Sequence, residues 1–202
     1  IISCEITDIN VNPDSPTASS VNAGSIYPGM ITQSHRNLVA LNGRIAGIII
    51  QHFEGSGYVV YKNHNIKMII DSGVIGPNYI PGHGHSDLYS FELSIFGKRL
   101  VVNGGTSTYE ISEKRSFERS SASHSTIEID GINSSEVWSS FRVARRSRPS
   151  TAKVLKNEND IQISSTNTDF INLFRKVRNT RTWNIKNNKI IIKDKLEGPY
   201  NT

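Results

Sequence analysis

Phe91-Glu92-Leu93-Ser94-Ile95, turned by Gly97-Lys98 into Arg99-Leu100-Val101-Val102, is the stretch that decides the fold. Phe91, Leu93 and Ile95 alternate with Glu92 and Ser94, so an extended chain would send one set of side chains to an apolar face and the other to a polar face. A period of two, broken by a glycine turn and then resumed, predicts an antiparallel hairpin. The same pattern continues on both sides. Tyr58-Val59-Val60-Tyr61, the turn Asn63-His64-Asn65 and Ile66 to Asp71 make a second hairpin upstream. Downstream, strands are predicted at Thr126 to Asp130 (closed by Gly131), Ala152 to Leu155, Asp160 to Ser164, Arg175 to Trp183 and Lys189 to Asp194. Lys186-Asn187-Asn188-Lys189 is a hairpin turn between the last two. No long amphipathic helix appears after residue 52. Many short strands with regular turn signals predict an all-β fold, an antiparallel sandwich or barrel.

The first 50 residues read differently. Asn12-Pro13-Asp14-Ser15-Pro16-Thr17 and the run from Ser19 to Gly29 are loop chemistry, and only Asn37 to Ile50 is apolar enough for a short element. Residues 1–50 are expected to be a linker or the tail of a preceding domain, and 51–202 a β-sandwich. The chain opens on Ile1 without a methionine, a basic segment or a cleavage site, and closes on Leu196 to Thr202 just past a strand. It is therefore expected to be an internal piece of a longer protein, with the sandwich cut short at its C-terminal end.

Composition narrows the function. Net charge is +5 with a pI near 9.4, a weak pointer to anionic partners. The basic cluster Arg142, Arg145, Arg146 and Arg148 lacks the interleaved aromatics of an RNA-binding sheet, and no DNA-reading helix accompanies it, so no nucleic-acid partner is expected. Acidic polysaccharide suits it better, because carboxylates and sulfates also pair with arginine. The single Cys4 excludes an internal disulfide framework. No run approaches the roughly 18 apolar residues of a membrane span.

The chemistry-bearing residues lie in Pro81-Gly82-His83-Gly84-His85-Ser86-Asp87 and in Ser123-His124-Ser125-Thr126. On an extended chain His83 and His85 would share a face. With His124 they supply three imidazoles, and Asp87 and Asn103 are candidate oxygen ligands for a metal. A polar turn with locally bonded histidines is the plainer alternative. A cupin-like metal site is another, although Glu92 falls later after His85 than the cupin pattern places its glutamate.

Taken together, the segments from Asp71 to about Arg148 resemble the heparinase II/III-like polysaccharide lyase family, in its C-terminal β-sandwich. The residues that carry the likeness are Gly82-His83-Gly84-His85-Ser86-Asp87, Phe91-Glu92-Leu93, Gly97 to Thr106 with Tyr109, Arg119 to Thr126, Asp130-Gly131, and Glu136-Val137-Trp138 with Phe141. The resemblance implies a supersandwich-like domain. It places His83 in the catalytic cleft near the substrate carboxylate, and implies a structural zinc on His85, Asn103 and His124. Asn103 stands where the family has an aspartate, and Ser125 where it has an asparagine; the first change weakens zinc binding. Arg119 is expected to contact substrate, on a basic cleft wall with arginines 142 to 148.

By the same resemblance the substrate is a uronic-acid-containing polysaccharide such as a glycosaminoglycan or alginate, cleaved by β-elimination. The partner is an N-terminal α/α toroid of the same polypeptide that this chain does not contain, without which it is expected to be inactive. The setting is periplasmic or extracellular. The alternative is a non-catalytic module that binds acidic glycan, or serves assembly, in a surface-polysaccharide pathway.

Overall fold

The computed structural model describes residues 2–10, 17–19, 47–157, 160–172, 175–186 and 189–198. They form two antiparallel sheets. The first, in spatial order, holds β3 (Ile49–Phe53), β4 (Tyr58–Lys62), β5 (Ile66–Asp71), β6 (Phe91–Ile95) and β7 (Lys98–Val101), each strand beside its sequence neighbour. The second runs β10 (Lys153–Lys156), β11 (Asp160–Asn172), β12 (Arg175–Lys186), β13 (Lys189–Glu197), β1 (Ile2–Asn10) and β2 (Thr17–Ser19). A two-stranded ribbon of β8 (Val137–Trp138) and β9 (Arg142–Val143) lies in the connecting loops.

The period of two becomes the core. Along β5 the burial alternates strictly, with Ile66, Met68 and Ile70 inward, and β6 repeats it with Phe91, Leu93 and Ile95. From the other sheet Ile161, Ile163, Trp183, Ile185, Ile190 and Ile192 join them in one hydrophobic cluster. The fold is thus the all-β sandwich that the alternation predicts. The hairpin turn after β6 uses Phe96 and Gly97, with φ of 49° and 74°, the left-handed pair that matches strand twist in a two-residue turn. Lys62 pairs with Lys67, so the turn through Asn63 and Asn65 falls where expected; Lys186 pairs with Lys189, and Asn187-Asn188 lie outside the described residues.

Two expectations are corrected, and a third lies mostly outside the described residues. Ile2–Asn10 and Thr17–Ser19, expected to lack regular structure, are strands on the far side of β13, with Ile2 opposite Leu196. The short element expected from Asn37 falls on residues that are described only from 47 onward, where β3 begins at Ile49. Thr126 to Asp130 is not a strand. Ser125 Oγ donates to Phe91 O at 2.7 Å and accepts Phe91 N at 2.8 Å, and Thr126 Oγ1 donates to Leu88 O. Side chains thereby do what a paired backbone would have done, and an isolated bridge from Ile129 to Ile132 closes the turn through Asp130 and Gly131.

A seven-residue helix, α1 (Glu113–Arg119), was not anticipated. Ser112 caps it, its hydroxyl accepting Arg115 N at 3.2 Å. Its buried residues are Arg115 and Arg119, one helical turn apart. A face that buries arginines carries no apolar period, so pattern reading passes over it.

Two elements under the loops fix where the site sits. Tyr89 is fully buried with a φ of 65°, an unfavourable backbone for a bulky residue. It is held by an edge-on contact with Trp183 at 6.0 Å, by Ser165 Oγ on its hydroxyl and by Arg181 Nη1 on its carbonyl. Arg181 forms a buried ion pair with Asp194 and also donates to Ser125 O at 2.6 Å. The second sheet thus reaches directly to the residue after His124.

Candidate active site

The loop that carries the histidine pair is shaped by close approach. Pro81–His83 is a single 3-10 turn, and Gly84 N donates back to Pro81 O at 2.8 Å. A Cβ at Gly84 would lie 2.3 Å from Ile75 Cγ2, so only glycine lets the chain pass between the two histidines. This turn separates the two side chains. His83 is exposed, while His85 is buried at 9% exposure.

On the exposed side, the His83 ring sits edge-on to Tyr109 at 5.6 Å and to Phe141 at 5.3 Å. Tyr109 and Phe141 stack on each other at 5.5 Å, yet both stay about half exposed, at 54% and 45%. Arg115 lies over the Tyr109 ring at 5.3 Å. The result is an open aromatic face with one imidazole, one phenol and a cation behind it. In the sequence Tyr109 and Phe141 stand out only as motif residues, and Arg115 carries no signal of its own.

On the buried side, the rings of His85 and His124 are 5.3 Å apart. Burial lowers the His85 pKa to about 4, helped by the positive charges of Arg115 and Arg119. Burial also lowers His124 to about 4, with His85 adding to it. Both imidazoles are therefore neutral at physiological pH. Neither ring nitrogen of His124 has a hydrogen-bond partner among the described residues. His85 Nε2 lies 3.1 Å from Arg115 Nη1 and 3.2 Å from Thr106 Oγ1. A guanidinium can only donate, so Nε2 is the unprotonated nitrogen and the ring proton sits on Nδ1.

Asn103 opens the loop after β7. Its Oδ1 accepts Gly105 N at 3.0 Å, closing its own turn. Asp87, the other candidate oxygen ligand, belongs to a different group: burial and then the nearby Asp71 push its pKa up to about 7. Among the described residues no three His, Cys, Asp or Glu side chains gather as metal ligands.

Two neighbouring neutral imidazoles, with the His124 nitrogens unpartnered, suit a zinc ion. The rest of the donor set argues against it: position 103 offers a neutral amide whose oxygen is engaged, and a guanidinium occupies the lone pair of His85. Residues of this kind fit zinc poorly.

Arg119 is 1% exposed and does not reach the surface. Its Nε donates to Gly84 O at 3.2 Å, Nη1 to Trp138 O at 3.0 Å and Ser139 O at 2.9 Å, and Nη2 to Gly84 O at 2.9 Å and Gly82 O at 3.4 Å. All five N–H groups are used on main-chain carbonyls. The side chain expected to touch substrate instead ties the histidine loop to the 138–139 loop. Of the later arginines, Arg145 pairs with Glu136, and Arg146 holds Ile75 O at 2.8 Å and Asn78 Oδ1 at 3.1 Å, while Arg142 in β9 is exposed.

A family model described as Heparinase II/III-like, C-terminal, matches residues 49–202. Among solved structures, the chain is similar in fold to the crystal structure of a heparan sulfate lyase HepC mutant from Pedobacter heparinus, with 20% identity and a TM-score of 0.59. That likeness covers 79% of this chain and 24% of the lyase chain, so the sequence spans about a quarter of that protein. No curated protein gives a significant match.

Proposed function

Because the chain belongs to the heparinase II/III-like family, matching its C-terminal domain over residues 49–202, we propose that it is the β-sandwich part of a polysaccharide lyase. Its substrate in this reading is a uronic-acid-containing acidic polysaccharide, and the reaction is β-elimination. The observation that carries the reading is the split of the histidine pair, with His83 exposed beside Tyr109 and Phe141 while His85 is buried against His124.

The chemistry follows from the substrate. The proton on C5 of a uronate, alpha to the carboxylate, is too weakly acidic for an unaided protein base. Charge spreading onto the carboxylate must be stabilised as the proton leaves, and the O4 leaving group must be protonated. His83 is placed to hydrogen-bond that carboxylate or to move a proton. Tyr109, at its edge, is the second exposed protic group, and the Arg115 charge behind its ring favours negative charge on that face. The half-exposed aromatic face offers apolar contact to a sugar ring. His85, His124 and Arg119 support the loop from beneath, and exposed Arg142 is available to an anionic polymer.

The remaining catalytic groups come, in this reading, from an α/α toroid of the same polypeptide, and the chain alone is inactive. Such polymers lie outside the cytoplasm, so the proposed setting is periplasmic or extracellular. Among the described residues no helix is long and apolar enough to cross a membrane.

A second reading is a module that binds acidic glycan without cleaving it. The engagement of Asn103 in its own turn favours it, since the position expected to carry a ligand charge is neutral and occupied.

One experiment separates the two. The parent polypeptide and this chain are each incubated with heparan sulfate, alginate and related polymers, and the ultraviolet absorbance of the unsaturated product is followed. Activity of the parent that His83→Ala abolishes supports the lyase. A parent inactive across the panel overturns it, and glycan binding that then survives His83→Ala supports the second reading.

A further inference from the structure

We propose that a guanidinium takes the place of a metal ion at the centre of this site: Arg115 holds the histidine loop together, and the chain needs no zinc to do so. Three loops converge on this one side chain. Nη1 is 3.1 Å from His85 Nε2 in the histidine loop and donates to Thr106 Oγ1 at 3.1 Å in the loop after β7. Nε and Nη2 donate to Ser140 O at 3.4 and 3.2 Å, next to Phe141. The carbon of the same guanidinium lies over the Tyr109 ring at 5.3 Å. A divalent ion organises loops by collecting lone pairs from several segments. Arg115 collects the lone pairs of an imidazole, a hydroxyl and a carbonyl in the same manner, with five fixed N–H directions.

Charge excludes a second occupant. Arg115 and Arg119 are both 1% exposed, one turn apart on α1, and every acceptor named for them is neutral. A zinc ion beside His85 would add two further positive charges to a buried pair. It would also compete for the lone pair of Nε2 that Arg115 already uses. Position 103 supplies no anionic ligand to such an ion, being an asparagine whose amide oxygen accepts Gly105 N. The neutral residue at 103 and the cation at 115 are one consistent arrangement. The inference does not depend on the lyase reading, since it concerns what holds the loop rather than what the loop acts on.

The test begins with the unaltered chain, purified from cells grown with added zinc. Metal content is measured, and thermal melts are compared with and without a chelator. The expected result is far less than one zinc per chain and a Tm that the chelator leaves unchanged. About one zinc per chain, with a Tm that falls on chelation, overturns the proposal. Arg115→Met should lower Tm by roughly 5–10 °C, because several charge-assisted bonds are lost from a buried position. Added zinc should not restore it. Arg115→Met that melts like the unaltered chain also overturns the proposal. The pair Asn103→Asp with Arg115→Met should gain zinc to about one per chain and a zinc-dependent rise in Tm. Should that pair fail to fold, the metal content and chelator response of the unaltered chain still decide the matter.

Discussion

Replacing Arg119 by leucine should cost this chain about 3–5 kcal/mol of stability. The leucine keeps much of the volume and removes every donor. Four of the five contacts that it deletes lie between 2.9 and 3.2 Å, and each charged hydrogen bond contributes about 1.5–3 kcal/mol net. Their simple sum, about 6–12 kcal/mol, overstates the loss, because the Gly82, Gly84, Trp138 and Ser139 carbonyls lie in loops that can open to water. The lower range matches what is found when one partner of a buried charged network is removed. It is a large share of the ~5–15 kcal/mol that stabilises a typical domain.

With a urea slope near ~2 kcal/mol per molar, the midpoint should fall by ~1.5–2.5 M at unchanged slope. Arg119→Lys should lie between, since an ammonium keeps the charge but cannot span both loops. The assay is urea unfolding followed by far-ultraviolet circular dichroism and by fluorescence of the buried Trp183 and half-exposed Trp138. A leucine variant within ~1 kcal/mol of the unaltered chain would refute the account. So would a stable lysine variant that has lost glycan binding, for that result would return Arg119 to the substrate-contact role that the sequence suggested.

Other outcomes follow from the same geometry. His83→Ala should change stability by no more than ~0.5 kcal/mol, as an exposed substitution, while lowering elimination by the parent at least tenfold; equal activity would remove His83 from the mechanism. Asp87 holds its proton in the folded chain up to about pH 7 and loses it near ~4 when unfolded, so its contribution to stability is present below ~4 and is lost as pH rises to about 7. Asp87→Asn should therefore match the unaltered chain at pH 4 and exceed it by ~2–4 kcal/mol at pH 8; a stability difference independent of pH would contradict the shift. Arg181→Met leaves Asp194 buried at 1% exposure without its cation, and should cost ~3–5 kcal/mol in urea unfolding. Arg181→Met with Asp194→Leu should recover most of that, and a single variant losing under ~1 kcal/mol would show that the pair is not the strut described.

What could be read from the sequence was whatever a period of two or a turn residue announces. Phe91, Leu93 and Ile95 gave β6, and Gly97 and the asparagine pairs gave the hairpins. Thr126 to Asp130 shows the limit, because alternation alone does not supply a partner strand. There Ser125 and Thr126 bond to Phe91 and Leu88 through their side chains. α1 stayed hidden for the opposite reason: its buried face is Arg115 and Arg119, and polarity patterns assign arginine to solvent. The site divides along the same line. His83, His85 and His124 were named by type and spacing, and Asn103 by its motif. Arg115, whose contacts come from three separate loops, had no local signal except a serine cap three residues earlier.

The arginine face of α1 also bears on the order in which the molecule assembles. A seven-residue helix is too short to hold itself in water, and its acceptors at Gly82, Gly84, Trp138 and Ser139 are distant in sequence. The helix can persist only once the histidine loop and the 138–141 loop have both arrived. The hairpins of the two sheets are local and can form first. The histidine loop and the 138–141 loop should therefore close last and reopen together as one cooperative unit above a sandwich that stays shut, with their amide protons exchanging in concert ahead of those of Ile163 and Trp183.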